Sequence, residues 1–452
     1  MLVCFSAENY RSIGEKVTLD LRANTRLRRL KSHVRKVPVE GSKKPLSILK
    51  SAAIYGANAS GKSNLIKAVE HSRTFICDGP TSNGVQRNPF KFYDKSKPSS
   101  FYFEFIVSSI RIGYAYQVND DQVLYEELIT IDEEHDITVF SRVYDEETDT
   151  YIIDSSIDFS DSEESMKVWN EFETLADFCP ENKLLITEIN DKNAKVLEQK
   201  MGEFVYIFRM VYAFMKYSIV IIFPNTKYSA LGRDILKDKY RNEYVQTLNS
   251  FDTGVSDLCI EKVSEGIFTK DFLDSMSNRL KSSGRNFLMF EHSGDEYYVS
   301  LDEKTQNIEY FSVISKHKDI KGQEISFSIR EESDGTIRLL DLIPIIENDV
   351  RNDGSVFLID EFDRSLHPNL AKSYFSLFMD KTKNNSDQLI VTTHQSELLD
   401  NKVLRRDEIW FAQKEKDQSS YVYTLDDFNT RPDMDIRYAY LNGKFGSIPF
   451  GK

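Results

Sequence analysis

The spacing of apolar residues changes period several times along the chain. Val17 to Leu21 (VTLDL) alternates apolar and polar like a half-buried strand. Ser51 to Gly56 (SAAIYG) is a short apolar run of the kind a buried strand makes, and Leu65, Ile66, Ala68 and Val69 then recur at helical spacing. Between Ser100 and Ile153 lie FYFEFIV, IRIGYAYQV, VLYEELITI and TVFSRV, separated by Asp, Ser and Asn turns, which predicts a strand meander. From about Asp161 to Ser283 the spacing is mixed and mainly helical; strands return with NFLMF, EYYVSL and EISFSI. The last third alternates: a helix after Gly335, the strand VFLID, a helix after Pro368 and the strand QLIVTTH. Apolar strands separated by helices predict a sheet covered on both faces. The expected organisation is therefore α/β: a strand-rich first part over residues 1–160, a mainly helical insertion over 161–285 and a last part with alternating helices and strands over 286–452. No repeat and no sustained heptad runs through it.

Composition narrows this picture. With 452 residues, 40% hydrophobic and 29% charged, the chain can bury a large core and hold two or three domains. Its four cysteines lie far apart without a CxxC pair, against a zinc site or disulfide framework and in favour of a reducing, cytoplasmic setting. The N-terminal MLVCFSAENYRSIGEK lacks the pattern of a signal peptide. Val205 to Phe223 is long enough to span a bilayer, but Arg209 and Lys216 would each cost about 3 kcal/mol near its centre. A buried helix running into a strand is expected there, and no membrane association.

The net charge of −14 disfavours non-specific nucleic-acid binding. It is unevenly spread, however. Leu21 to Lys50 is basic, with Arg26, Arg28, Arg29, Lys31, Arg35 and Lys36 close together, whereas Asp132 to Ser165 carries acidic runs. The basic segment is either a solvated face or a surface for nucleic acid or an acidic partner.

Three motifs carry chemistry. Gly56 to Ser63 (GANASGKS) fits G-x-x-x-x-G-K-[ST] between an expected strand and helix. Its backbone, through Asn58, Ala59, Ser60 and Gly61, would wrap a triphosphate at a helix N-terminus. Lys62 would bridge the β- and γ-phosphates and Ser63 would hold Mg²⁺. VFLIDEFD ends a buried strand in Asp360, a metal-binding candidate, and Glu361, placed to orient or deprotonate water; the alternative is a simple acidic turn. QLIVTTH ends in His394, which is either structural or a contact to the γ-phosphate. A fourth feature, Ser333-Asp334-Gly335-Thr336 ahead of an apolar helix, reads as an ordinary cap or as a second phosphate seat. SLHP (Ser365 to Pro368) follows the acidic pair.

GANASGKS, ESDGTIRLL, VFLIDEFDRSLHP and IVTTH, in this order, resemble the ABC-class ATPases related to SMC and RecF proteins. With FSAENYRSI, NPFKFYD, FDTGVSD and DEIWFAQK … RYAYLNGKFGSIPF they are most similar to an AAA-like bacterial branch associated with phage defence, which includes the RloA, AbiL and PARIS-system ATPases. The resemblance implies an ABC-type head of two lobes with a mixed or parallel sheet flanked by helices, ATP with Mg²⁺, and a homodimer or higher homo-oligomer around nucleotide. It implies control of a separate effector, expected to be a nuclease and possibly of the TOPRIM type. By position it gives Lys62 and Ser63 to phosphate and metal, and Asp360 and Glu361 to metal and water. Ser333, Gly335 and Thr336 go to the partner's γ-phosphate, and His394 to its sensing. Arg11 in NYRSI matches an arginine that reaches nucleotide, or else is a sheet-edge cation. The Q-loop glutamine has no clear position; Gln86 is one candidate. Asp433-Met434-Asp435 with Glu408 resembles a TOPRIM acidic set, but Arg431-Pro432 stands where a buried strand should run. Only about sixty residues follow His394, against the roughly 100 of a typical domain. A RecF-like repair ATPase and a nucleotide-gated scaffold with little turnover remain the other readings.

Overall fold

The computed structural model describes residues 1–446 except 83, 95, 229, 283–285, 302–306, 348–352, 430 and 432–433. Asp433 of the acidic set, Pro432 before it, and the 447–450 end of the GKFGSIPF tail lie outside the described residues. The chain forms two compact units. The first comprises Met1–Pro224, Asn352–Phe362 and Thr382–Lys452; the second comprises Asn225–Arg351 and Asp363–Lys381.

In the first unit, the alternating segments form the expected meander. β1 (Leu2–Glu8), β2 (Val17–Asp20), β6 (Ser99–Val107), β7 (Ile110–Val118), β8 (Val123–Ile131), β9 (Asp136–Asp145) and β10 (Thr150–Asp154) make one antiparallel sheet in the order β10-β9-β8-β7-β6-β1-β2. β3 (Val34–Val37) and β4 (Leu46–Leu49) pair as a ribbon. The continuous apolar runs behave differently. β5 (Ser51–Tyr55), β11 (Ile219–Ile222), β17 (Val356–Ile359), β18 (Gln388–Thr392) and β19 (Ile409–Lys414) lie parallel, with β20 (Ser420–Thr424) antiparallel at the edge, in the order β11-β17-β18-β5-β19-β20. β5, β17 and β18 are buried at every residue, which is why their sequences do not alternate.

Helix α1 (Lys62–Asp78) follows β5 and buries Leu65, Ile66, Ala68 and Val69, the face its spacing predicts. These residues share one apolar cluster with Phe101 and Phe103 of the antiparallel sheet and Val356 and Ile390 of the parallel one. Helices α2 (Glu163–Asp177), α3 (Leu185–Asp191), α4 (Ala194–Met201) and α5 (Phe204–Ala213) add Phe172, Ile186, Leu197 and Phe208 to it. The apolar stretch from Val205 is α5, a π-helical turn at Phe214–Ser218 and then β11, as a helix running into a strand. No helix among the described residues is long and apolar enough to cross a membrane.

The second unit holds α6 (Leu231–Ile235), α7 (Asp238–Ser250) and α8 (Lys270–Ser282) beside a sheet of β12 (Val255–Lys262), β13 (Phe287–His292), β14 (Asp295–Leu301), β15 (Ile308–Lys318) and β16 (Glu324–Ser328). α9 (Asp334–Ile346) and α10 (Pro368–Lys381) complete it, while α11 (Ile436–Leu441) belongs to the first unit. The units are thus assembled from discontinuous segments, whereas the division expected from sequence runs in three consecutive blocks. The helical stretch after Asp161 contributes its first part to one unit and its second part to the other.

On α1, His71 lies against Tyr10, Phe101 and Phe75, and its Nε2 is buried without a hydrogen bond among the described residues. Burial, and then the charge of Arg11, lower its pKa from 6.5 to about 4. Between those values the unfolded chain holds a proton that the folded chain does not, so stability is complete above pH 6.5 and falls as pH drops toward 4. Lowering pH from 7.5 to 5 should cost about 2 kcal/mol through this one group. His71→Leu should remove that part of the slope, measured by urea denaturation at the two pH values.

Candidate functional site

The parallel register sets the site. Ile359 pairs with Val391 and Thr392 with Ile54, so β17, β18 and β5 all end at the same edge of the sheet. Gly56, Asp360, Glu361 and His394 therefore leave the sheet together, from three segments far apart in sequence.

The turn from β5 to α1 needs its glycines. A Cβ on Gly56 would overlap the Ala412 carbonyl oxygen and lie 2.6 Å from Ser60 Oγ. Gly61 caps α1 at φ 104°, where a Cβ would also collide with Ser420 Oγ and come within 2.9 Å of Ser12 Oγ. Ala59 takes φ 63°, Asn58 and Ala59 are exposed, and Ser63 is half-buried. The buried Lys62 turns its ammonium onto the carbonyls of Gly56 (2.8 Å) and Ala57 (3.1 Å). Ser60 Oγ is buried and makes no hydrogen bond among the described residues. A bare-backbone loop at a helix N-terminus, with an internal ammonium and a spare hydroxyl, is chemically suited to a polyphosphate.

Across the sheet edge, Asp360 is buried and accepts a hydrogen bond from Thr392 Oγ1 at 2.6 Å. The same hydroxyl accepts the Glu361 N–H at 2.8 Å, and the Phe362 N–H reaches the Thr392 carbonyl at 3.0 Å. Glu361 adopts φ 46°, so the chain turns directly after the strand and this carboxylate is exposed while its neighbour's is buried. His394 is exposed two residues beyond β18. The buried carboxylate has the chemistry of a ligand to a divalent cation, and the exposed one that of a group facing water.

Arg11 is exposed at φ 52°; its N–H donates to the Asn88 carbonyl and its Nε to Tyr10 Oη at 3.2 Å. Tyr10 Oη in turn donates to the Lys67 carbonyl of α1. Beside it, Ser12 Oγ accepts from Asn64 Nδ2 at 2.7 Å and from Ser420 Oγ at 2.8 Å, lining the approach to Gly61. Ser12, Asn64, Ser420 and Thr392 were not singled out by sequence. Only Thr392 had a signal, its place in IVTTH two residues before His394.

Ser333, Gly335 and Thr336 belong to the second unit. Ser333 is the N-cap of α9; its Oγ accepts the Thr336 N–H at 3.1 Å and lies 2.9 Å from Thr336 Oγ1. Gly335 leaves room for the Ser365 carbonyl, 3.1 Å from where a Cβ would be. The cap and the close approach of the SLHP segment are thus both real features of this corner.

The basic segment is held by a buried ion pair. Arg405, paired with Asp407 at 2.7 Å, donates to the carbonyls of Asn24, Leu27 and Arg29, and Asp407 accepts the Asn24 N–H. Arg26, Arg28, Arg29, Lys31 and Lys36 remain exposed, and Arg35 is half-buried. Glu408 is fully buried against His33, Ser51 and the Arg405 N–H, a structural setting rather than that of a nuclease carboxylate.

The profile of a family described as "AAA domain, putative AbiEii toxin, Type IV TA system" matches residues 51–165 and 258–400, more than half of the chain. No curated protein matches the chain in sequence. Among solved structures, an SMC head bound to the C-winged helix domain of ScpA is 12% identical, with 94% of this chain and 97% of that one covered at a TM-score of 0.38. The SMC head domain from Thermotoga maritima is 12% identical, with 94% and 98% covered at 0.35. An SMC head domain with an extended coiled coil, bound to the C-terminal domain of ScpA derived from Pyrococcus furiosus, is 14% identical, with 94% and 96% covered at 0.35.

The Thr392 hydroxyl serves both acidic residues, and a hydrogen bond to a charged group is worth about 1.5–3 kcal/mol. If this edge hydrolyses ATP, Thr392→Val should leave the chain folded and lower that turnover roughly tenfold to a hundredfold, as measured by phosphate release.

Proposed function

The chain belongs to this family of AAA domains, and from that premise we propose that it is an ATP-binding and hydrolysing ABC-type switch that dimerises around nucleotide and controls a separate effector. The observation that carries the reading is the convergence of Gly56–Ser63, Asp360, Glu361 and His394 at one edge of a parallel sheet. Lys62 neutralises phosphate charge, and the backbone from Gly56 to Gly61 donates to phosphate oxygens. Ser63 and Asp360 are the residues to hold Mg²⁺, which when bound would stabilise charge on the transferring phosphoryl group. Thr392 fixes Asp360 for that role. Glu361 takes a proton from the attacking water, and His394 contacts the γ-phosphate. Arg11, oriented by Tyr10, reaches toward nucleotide beside α1. Ser333, Gly335 and Thr336 complete the site of a second copy, so that bound ATP joins two subunits.

The motif set and the tail support a place in bacterial antiphage defence, in the cytoplasm, with a nuclease as effector. The rigidly held basic segment favours a second reading, a RecF-like repair ATPase acting on nucleic acid. DNA-stimulated turnover without a protein partner would select it.

Glu361→Gln should retain ATP binding, slow hydrolysis at least about a hundredfold and trap a dimer. Wild-type turnover in this variant would remove Glu361 from the mechanism. Lys62→Ala and Ser333→Arg subunits, each inactive alone, should partly recover ATPase on mixing, because one site of the mixed dimer is intact. Mixed dimers without recovery, with dimer formation checked by native mass spectrometry, would refute the shared site. Reversing the charges of Arg28, Arg29 and Lys31 should weaken DNA binding and flatten its salt dependence. Unchanged affinity and slope would make the segment a solvated face.

A further inference from the structure

Both acids that precede Ser333 are taken up by the fold of the second unit. The chain leaves β16, makes a 3-10 turn at Ile329–Glu331, passes through Glu332 and enters α9. Glu331 closes a capping box by accepting the Ser328 N–H at 2.7 Å. Glu332 reaches instead to β15. Its Oε1 lies 2.6 Å from His317 Nε2 and also accepts a hydrogen bond from Ser315 Oγ, and only 7% of its side chain is exposed. His317 is itself held edge-on to Phe327, on the strand that pairs with β15.

A carboxylate beside a phosphate seat is an electrostatic liability, because like charges at close range repel. A carboxylate that is largely buried, with one imidazole partner and one hydroxyl partner, is fixed in place, and much of its field is offset. Pinning the residue just before a helix cap also fixes where the cap begins. We propose that His317 and Ser315 are positioning residues for the Ser333 corner: through Glu332 they hold it in the geometry that receives the partner subunit's γ-phosphate and turn the adjacent negative charge away from it. This rests on the shared-site reading above. His317 and Ser315 touch no nucleotide; they act through Glu332.

The test compares ATP-driven dimerisation with ATP binding by the monomer and with thermal stability, using ATP, Mg²⁺ and the full chain on a Glu361→Gln background. His317→Ala should raise the ATP concentration needed for half-maximal dimerisation about tenfold, leaving monomer affinity for ATP unchanged. His317→Gln, whose amide can still donate to Glu332, should restore most of it. A merely structural histidine would lower the melting temperature without this selective loss and without rescue. If His317→Ala does not fold, Ser315→Ala is read in its place, with a loss of about threefold expected. Ser333→Arg, run in parallel, separates the two ideas. If it abolishes dimerisation while His317→Ala or Ser315→Ala dimerises like the parent, the positioning role is overturned and the shared site stands. If Ser333→Arg still dimerises with ATP, both fall.

Discussion

Hydrogen bonds between three buried parallel strands hold the site together. Thr392 lies opposite Ile54 and Ile359 opposite Val391, so the β5 loop, the Asp360 carboxylate and the residues leading to His394 emerge side by side. A slip of one residue in any of these pairings would turn every side chain of that strand to the other face. The buried amide of Gln388 strengthens the arrangement. It accepts the Leu2 N–H at 2.7 Å and donates to the Leu2 and Leu49 carbonyls, tying β18 to the antiparallel sheet and to the strand before β5. A buried amide satisfied on both its oxygen and its nitrogen specifies a unique register more sharply than apolar packing does.

Backbone conformations that most side chains avoid occur at this edge. Ala59 and Glu361 both have positive φ, and Gly56 and Gly61 occupy positions where a Cβ would strike neighbouring atoms. Such conformations cost about 1–3 kcal/mol each and persist only where the surroundings impose them. Here the surroundings are the fully buried strands and the ladder from Glu361 and Phe362 to Thr392. The consequence is a division of labour between two adjacent acids, one dry and oriented, the other wet. The chain leaves the first unit directly after Phe362 and returns at Thr382, so the residue proposed to meet water lies next to a covalent crossing between units.

Charge is organised in the same economical way. In a chain of net charge −14, the basic segment keeps its place because the buried Arg405–Asp407 pair captures its backbone carbonyls and because His33 and Asn24 of the segment bond to Glu408 and Asp426. Arg26, Arg28, Arg29, Lys31 and Lys36 are left outward. A buried pair of this kind adds little net stability, because desolvating its charges offsets their attraction.

Sequence alone determined the local chemistry. The spacing of Gly56, Gly61, Lys62 and Ser63, the apolar run ending in Asp360-Glu361, the meander and the helix-into-strand reading of Val205 to Phe223 were legible, because each depends on residues within one turn or one strand. Tertiary structure decided what no local pattern encodes. The two compact units draw on discontinuous segments, so consecutive blocks of sequence could not delimit them. Thr392 became the partner of Asp360 only through parallel pairing, and Ser12 and Ser420 met at Gly61 from opposite ends of the chain. Glu408, which the sequence places in a TOPRIM-like acidic set, is enclosed by His33 and Ser51, and Glu332 takes its partners from β15. Local pattern fixes which groups a segment offers; only strand pairing and burial decide which groups meet.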